Sequence, residues 1–376
     1  MARQAQSLAE CFSEIVDPRS EQARLHELVD ILSLSVLAVI AGAEGWEDIE
    51  EFGKQKRLWL KQFLRLPHGI PSHDTISRVF RLLRPEAFQE GFARWISSLH
   101  AELGLKLVAV DGKTLRRSHD RTTMKSALHA VCAWSVANRI VLGQQSVDEK
   151  SNEITAIPEL LKLLELHGAI VTIDALGCQK EIAAQIVAGG GDYVLAVKDN
   201  QRKLAEALRE HFDQLHETDF ADANCRRRQT KDKGHGRVEQ RYYYQSPLPE
   251  SMRALAQDWS ELKTIGQVVS ITKRDGKECS EVRYYISSLP LGVKRFAEAV
   301  RGHWGIENSL HWTLDVTFDE DRSRIRKDFG PDNFALLRRF ALSLLQQDTS
   351  PGSIKKKRKR AAWNNDALAK IAMLTS

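Results

Sequence analysis

Residues 105–113 read Leu-Lys-Leu-Val-Ala-Val-Asp-Gly-Lys. A short apolar run rich in β-branched residues reads as a buried strand. Here it closes on Asp111 and turns at Gly112. Residues 169–175, Ala-Ile-Val-Thr-Ile-Asp-Ala, repeat the grammar and close on Asp174. A strand that ends on aspartate presents the carboxylate at a sheet edge, where α/β proteins place their chemistry. Asp is also a common turn residue, so one instance says little. Two, on strands that the topology makes neighbours, say more.

Working outward, residues 127–136 and 139–147 read as two further strands joined by a tight turn at Ala137-Asn138. A helix from Glu153 to His167 follows, with Leu160, Leu161, Leu163 and Leu164 as its apolar face. Beyond Asp174 come a helix from Glu181 to Ala188, stopped by Gly189-Gly190-Gly191, a fifth strand within 192–200, and a helix from Arg202 to Leu215. A three-strand meander followed by two right-handed crossovers makes an α/β fold: a mixed five-stranded sheet with helices on its faces. Residues 222–292 change texture, with strand composition in 237–246, 262–274 and 280–289, and read as a β-rich insertion. Lys294 to about Leu314 is helical again.

The first hundred residues are helical. Leu25–Ala43 is strongly apolar and 48–63 is amphipathic. After a Pro-bounded turn, Ser72 or Asp74 caps a helix whose buried stripe is Ile76, Val79, Phe80 and Leu83. With Ser77, Arg78 and Arg81 on its outer side, this segment is a candidate helix-turn-helix reader of DNA. The expected division is 1–100 (helical), 101–221 (catalytic core), 222–292 (insertion), 293–348 (core, continued) and 349–376 (basic tail).

At 376 residues the chain is long enough for several domains, and its net charge of +5 is mild. The distribution is more telling. Basic clusters stand at Arg226–Arg228 and Lys355–Arg360, and acids gather between Asp315 and Asp321. Clustered cations favour a polyanion such as nucleic acid. Five scattered cysteines without a CxxC pair argue against a disulfide framework or zinc ribbon and fit a reducing cytoplasm. The N-terminus is unlike a signal peptide, and the most apolar stretch is too short to cross a bilayer, so no membrane partner is expected. No Walker A motif occurs, so nucleoside-triphosphate fuel is not indicated.

The third candidate acid lies in residues 303–312, His-Trp-Gly-Ile-Glu-Asn-Ser-Leu-His-Trp. On an α-helix His303, Glu307 and His311 share one face, from which Glu307 would be aimed at the two aspartates. Three converging carboxylates favour Mg²⁺ or Mn²⁺, and two such ions activate a water or a 3′-hydroxyl against a phosphodiester. Without metal the acids repel, which raises at least one pKa. Alternatives stand beside this: His303, Glu307 and His311 as a zinc site, or Asp315, Asp319 or Asp321 as the acid. Trp304 and Trp312 read first as wedges that pack the helix down, and otherwise as stacking surfaces for an extruded base. Candidate DNA contacts are Lys113, Arg116 and Arg117 after Asp111, and Lys198 at the end of the fifth strand. His235, Arg237 and Arg241 around a Gly-His-Gly-Arg turn, His303, and Arg322 complete the set. The run 355–360 reads as a phosphate-binding or solubilising tail.

The stretches VAVDGKTLRRS (108–118), TIDALGCQKEIA (172–183), DYVLAVKDNQ (192–201), HGRVEQR (235–241) and RGHWGIENSLHWTLDVTFDEDRSRIR (301–326) carry a resemblance. Together they resemble DDE transposases of bacterial insertion sequences, specifically the H-repeat-associated group. The N-terminal region resembles that group's associated domain, so nearly the whole chain is covered. The resemblance implies a ribonuclease H-like core interrupted by a β-strand insertion before the last acid, with Asp111, Asp174 and Glu307 as the metal-binding triad. It implies cleavage at the element's terminal repeats and strand transfer into target DNA by direct transesterification. Two or more copies would hold the ends, in the bacterial cytoplasm on the nucleoid. Related transposases place Arg four residues before the third acid and Lys seven after it; here those slots hold His303 and Leu314. A ribonuclease H-like nuclease or resolvase, and a catalytically silent DNA-binding relic, remain as alternative functions.

Overall fold

The computed structural model describes residues 7–103, 106–119, 126–147, 152–221, 224–234, 237–274 and 277–374. Five helices open the chain: α1 Leu8–Phe12, α2 Leu28–Ala41, α3 Trp46–Leu60, α4 His73–Leu82 and α5 Pro85–Leu103. Then come β1 Leu107–Thr114, β2 His129–Ser135, β3 Ile140–Ser146, α6 Glu153–Lys162, β4 Ile170–Ile173, α7 Lys180–Ala188, β5 Asp192–Val197 and α8 Arg202–Glu217. Next are β6 Arg226–Gly234, β7 Arg237–Pro247, α9 Arg253–Ala256, β8 Thr264–Arg274 and β9 Lys277–Ser287. The chain continues with α10 Val293–Gly305, a π-helical segment Ile306–His311, α11 Trp312–Thr317, α12 Gly330–Gln347, α13 Ile354–Trp363 and α14 Asn365–Ile371. Among the described residues no single helix is long and apolar enough to cross a membrane.

The chain divides into two compact units. The first comprises Met1–Gly104, Gly112–Asn152 and Glu307–Ser376. Its centre is α2, buried along almost its whole length and packed by α1, α3, α12 and α13. A helix that is apolar all round has to be enclosed on every side. Gly42, at φ +125, stops it. Ser72 caps α4 by accepting the Thr75 amide at 3.3 Å, and Ile76, Val79, Phe80 and Leu83 are buried as their spacing requires. Asn333 of α12 donates to the carbonyls of Phe80 and Leu83, each at 2.7 Å, tying off the last turn of α4. Phe12, Phe88, Phe92, Trp95 and Phe340 form the aromatic core between α1, α5 and α12. In the same unit β2 and β3 form an antiparallel hairpin.

The run 355–360, expected as a tail, is instead the body of α13. Lys357 and Arg358 are buried: Lys357 donates to the carbonyls of Leu345 and Asp348, and Arg358 to those of Thr317 and Val39. The Arg358 guanidinium also lies 4.2 Å from the centre of the Phe318 ring. Carbonyl acceptors, a π face and, 3.8 Å from Lys357, the Asp348 carboxylate take the place of water around these cations.

The second unit comprises Leu105–Asp111 and Glu153–Ile306. Its mixed sheet has the order β1-β4-β5-β9-β8-β7-β6. β1, β4 and β5 run parallel, and β9 pairs antiparallel with β5 and leads to β8, β7 and β6. The strands expected as a β-rich insertion extend the sheet that contains β1, β4 and β5, where β9 satisfies the ladder groups that β5 would otherwise expose. Expected to reach His167, α6 ends at Lys162 and leaves Leu163 55% exposed instead of on the apolar face.

Phe296, Ala297, Ala299 and Val300 lay α10 onto Tyr243, Val268 and Tyr285 of the sheet. Gly266 of β8 makes this possible: a Cβ there would stand 2.3 Å from Cζ of Phe296.

Candidate active site

Parallel pairing of β1 with β4 sets Val110 opposite Ile173. Asp111 and Asp174 come directly after these partners, so both residues lie at one level on the same edge of the second unit, with their strands about 5 Å apart. Asp174 is anchored by its own turn. Its Oδ1 accepts the amides of Leu176 at 3.1 Å and Gly177 at 3.3 Å. Burial raises the Asp174 pKa above the usual carboxylate value; the Gly177 and Leu176 amides and the Lys198 charge pull it down, while Glu153 pushes it up. The rise was expected from repulsion among the three acids; here desolvation causes it, and the like charge that contributes is Glu153. Two carboxylates side by side, one desolvated, are an oxygen-donor set of the kind Mg²⁺ or Mn²⁺ prefers. Among the described residues no three His, Cys, Asp or Glu side chains stand together as a metal cluster.

The segment leading to Glu307 is fixed to β4 from within the second unit. His303 Nδ1 lies 3.1 Å from the hydroxyl of Thr172, two residues before Asp174. Burial pushes the His303 imidazole down to about 4, so it is neutral at pH 7. Beside it, the Arg283 guanidinium lies 4.1 Å from the Trp304 ring centre. The hydroxyl of Thr172 is a contributor that sequence reasoning missed, although a lone polar residue in an apolar strand was a visible signal.

After Gly305 the helix changes winding. Ile306–His311 is π-helical, with one more residue per hydrogen-bonded turn than an α-helix. The single face expected for His303, Glu307 and His311 is therefore not kept through this turn. Glu307 is exposed, and Ile306 and Leu310 are buried. Trp312, expected to pack inward, is 59% exposed at the start of α11. Such π turns occur preferentially at functional sites.

The basic candidates divide by environment. In the first unit Lys113 is buried, with Nζ 2.6 Å from Asp315 and 3.9 Å from Asp321. Arg116 is exposed and 3.4 Å from Asp321. The acidic run is thus the counter-charge of the basic run after Asp111. Glu320, in the same run, is fully buried and accepts from Arg339 at 2.8 Å, while Nε of Arg339 reaches Sγ of Cys132 at 3.2 Å. Arg117 is exposed, and its carbonyl accepts Arg326 Nε at 3.2 Å. The exposed Arg322 lies 3.6 Å from Asp319. In the second unit Lys198 is exposed at the end of β5 and Arg237 is exposed on β7. Arg241 is buried between Asp232, at 2.6 Å, and Glu239, so it is committed to those acids. His235 lies outside the described residues.

Comparison with known proteins adds to this geometry. A family model described as "Transposase DDE domain" matches residues 102–344, and one described as "DDE_Tnp_1-associated" matches residues 9–96. The Escherichia coli K12 protein named "H repeat-associated putative transposase YhhI" is 41% identical over 369 residues, 97% of each chain. "Putative transposase YncI" of Escherichia coli O157:H7 is 42% identical over 363 residues, 96% of this chain and 92% of its own. "Inactive transposase YbfQ" of Escherichia coli K12 is 51% identical over 72 residues, 19% of this chain and 86% of its own.

Proposed function

The chain belongs to the DDE transposase family, and from that premise we propose that it cuts DNA at the ends of an insertion sequence and joins them to target DNA. Asp111, Asp174 and Glu307 are the metal ligands in this reading, and the sheet is a ribonuclease H-like core with β6 to β9 inserted before the third acid. The observation that carries it is the level pairing of Asp111 and Asp174 on adjacent parallel strands. When bound, Mg²⁺ or Mn²⁺ supplies the Lewis acidity that activates a water or a 3′-hydroxyl and stabilises the leaving oxygen.

The protein's own groups do the rest. The amides of Leu176 and Gly177 hold the Asp174 carboxylate in one orientation, and the desolvated site makes it a strong ligand for a cation. Neutral His303 fixes the helix before Glu307 without adding a charge that would compete for the acids. Lys113 neutralises Asp315, so the scissile strand's phosphates are left to Arg116, Arg117, Lys198, Arg237 and Arg322, the exposed members of the candidate set. In α4 the exposed Arg78 is the candidate DNA contact, whereas Arg81 is held by Asp328 at 2.7 Å. Two or more copies hold the two ends together.

The test uses labelled duplex carrying the inverted repeats that flank the gene, with a scrambled duplex beside it, in Mg²⁺. Cutting confined to the repeat boundary, with joined products, is the expected result, and Asp111→Asn removes it without loss of binding. Equal cutting of both duplexes without joining would make the chain a nuclease. No cutting of either would make it a silent relic.

A further inference from the structure

The second unit has a hollow of about 890 Å³ at the edge opposite Asp111 and Asp174. Its wall includes the start of β1 (Lys106, Leu107), the start of β4 (Ile170), the start of β6 (Arg226) and the first turns of α10 (Lys294, Arg295). Leu107 and Ile170 are partners at the beginning of their strands. The two aspartates lie four positions further along, about 13 Å at 3.3 Å per residue. The volume is that of a ligand site.

Charge in the hollow is one-sided. Lys106, Arg226, Lys294 and Arg295 line it, against Glu298 alone. Asp192 offsets part of this, 3.8 Å from Arg295. Leu107, Ile170, Val293 and Ala299 provide apolar wall between the cations. The start of α10 adds to the imbalance. Its first turn contains no acidic residue, and Gly292 offers no side-chain cap. Lys294 and Arg295 stand there instead, where the helix dipole is already positive. Cations gathered at that end repel each other and the dipole, and an anion seated among them relieves both.

We propose that this hollow binds phosphate groups of DNA, as a second DNA contact remote from the carboxylate edge. The choice of DNA as ligand rests on the transposase reading; the charge and shape of the hollow do not. Because it opens at the other end of the strands, it holds DNA phosphates apart from the one being cut.

The test is the salt dependence of duplex binding, measured by fluorescence anisotropy on the full chain without divalent metal. Arg226→Gln/Lys294→Gln removes two exposed cations of the hollow. Lys203→Gln/Arg209→Gln removes two exposed cations of α8 that do not line it. Each phosphate contact contributes about 0.9 to the slope of log K against log salt, so the first pair should lower the slope by roughly 2 and the second should leave it unchanged. Equal slopes for wild type and the first pair, both folded by circular dichroism, would overturn the proposal while the transposase reading stands. A wild type that binds no duplex would overturn both. Inorganic pyrophosphate provides the other arm: if it raises the Tm of wild type but not of the first pair, with DNA slopes equal, the hollow is a free-anion site and the DNA assignment fails.

Discussion

Gly266→Ala tests how closely α10 is seated on the sheet. The added Cβ would lie 2.3 Å from Cζ of Phe296 and 2.8 and 2.9 Å from its two Cε atoms, where carbon atoms in contact keep about 3.5–4.0 Å. The ring has no open side. It is fully buried and meets Tyr285 edge-on, with centroids 5.6 Å apart. Either α10 lifts by about an ångström or the ring leaves its rotamer, and overpacking of this kind costs about 1–3 kcal/mol. At roughly 2–4 °C per kcal/mol for a unit of this size, Tm should fall by about 2–12 °C. Phe296→Leu removes the ring atoms that the new methyl strikes, so the double variant should be less destabilised than the sum of the singles by about 1 kcal/mol or more. The assay is thermal unfolding of the four proteins, then Mg²⁺-dependent cleavage, since α10 carries His303 and leads directly into the π-helical segment with Glu307. Cleavage should drop in Gly266→Ala and partly recover in the double variant. Additivity within about 0.5 kcal/mol would refute the reasoning, because it would mean the methyl and the ring do not meet.

Between pH 6.5 and 4 the unfolded chain takes up the proton that folded His303 refuses, so stability should fall with pH across that window and be flat above it. The slope is up to about 1.4 kcal/mol per pH unit; His303→Gln should flatten it in denaturant titrations at several pH values. Asp174 is raised by burial, so its contribution to stability is full only below its unfolded pKa and is lost as pH rises through the folded one. Asp174→Asn should therefore increase Tm at pH 7, with the gain shrinking near pH 3.5, while abolishing cleavage; a lower Tm at pH 7 would contradict the burial argument. Glu320→Gln leaves Arg339 uncompensated in a fully buried site and should cost about 3–5 kcal/mol by chemical denaturation. An effect below about 1 kcal/mol would mean water reaches the pair.

The elements that a local pattern determines were readable. The apolar runs before Asp111 and Asp174 were readable as two strands with a shared edge, because strand composition is a property of neighbouring residues; the turn expected at Gly112 is absent, since β1 continues to Thr114, whereas β4 does end before Asp174. The Ser72 cap and the stripe through Ile76, Val79 and Phe80 belong to the same class. What escaped depends on partners distant in sequence. Nothing local distinguishes Lys357 and Arg358 from a solvated run; their acceptors include Val39 and Leu345. Lys113 is separated from Asp315 by 202 residues. The π turn escaped for another reason, since residues 303–312 have α-helical periodicity on paper and only the backbone winding of Ile306–His311 reveals the extra residue. The sheet's continuation through β9 was hidden because ladder pairing leaves little trace in composition.

The bond from Arg358 to the Val39 carbonyl spans 319 positions, and that separation has a meaning in time. A ribosome adding about 5–20 residues per second needs roughly 15–60 s to pass from one end of that bond to the other. Throughout, α2 is complete yet lacks two of the helices that enclose it, α12 and α13. An apolar helix kept waiting that long is a standing invitation to aggregation or to a chaperone. Nascent chains stalled before residue 330 should therefore be held by such factors, and a chain released there should be cleared rather than accumulate as a stable N-terminal fragment.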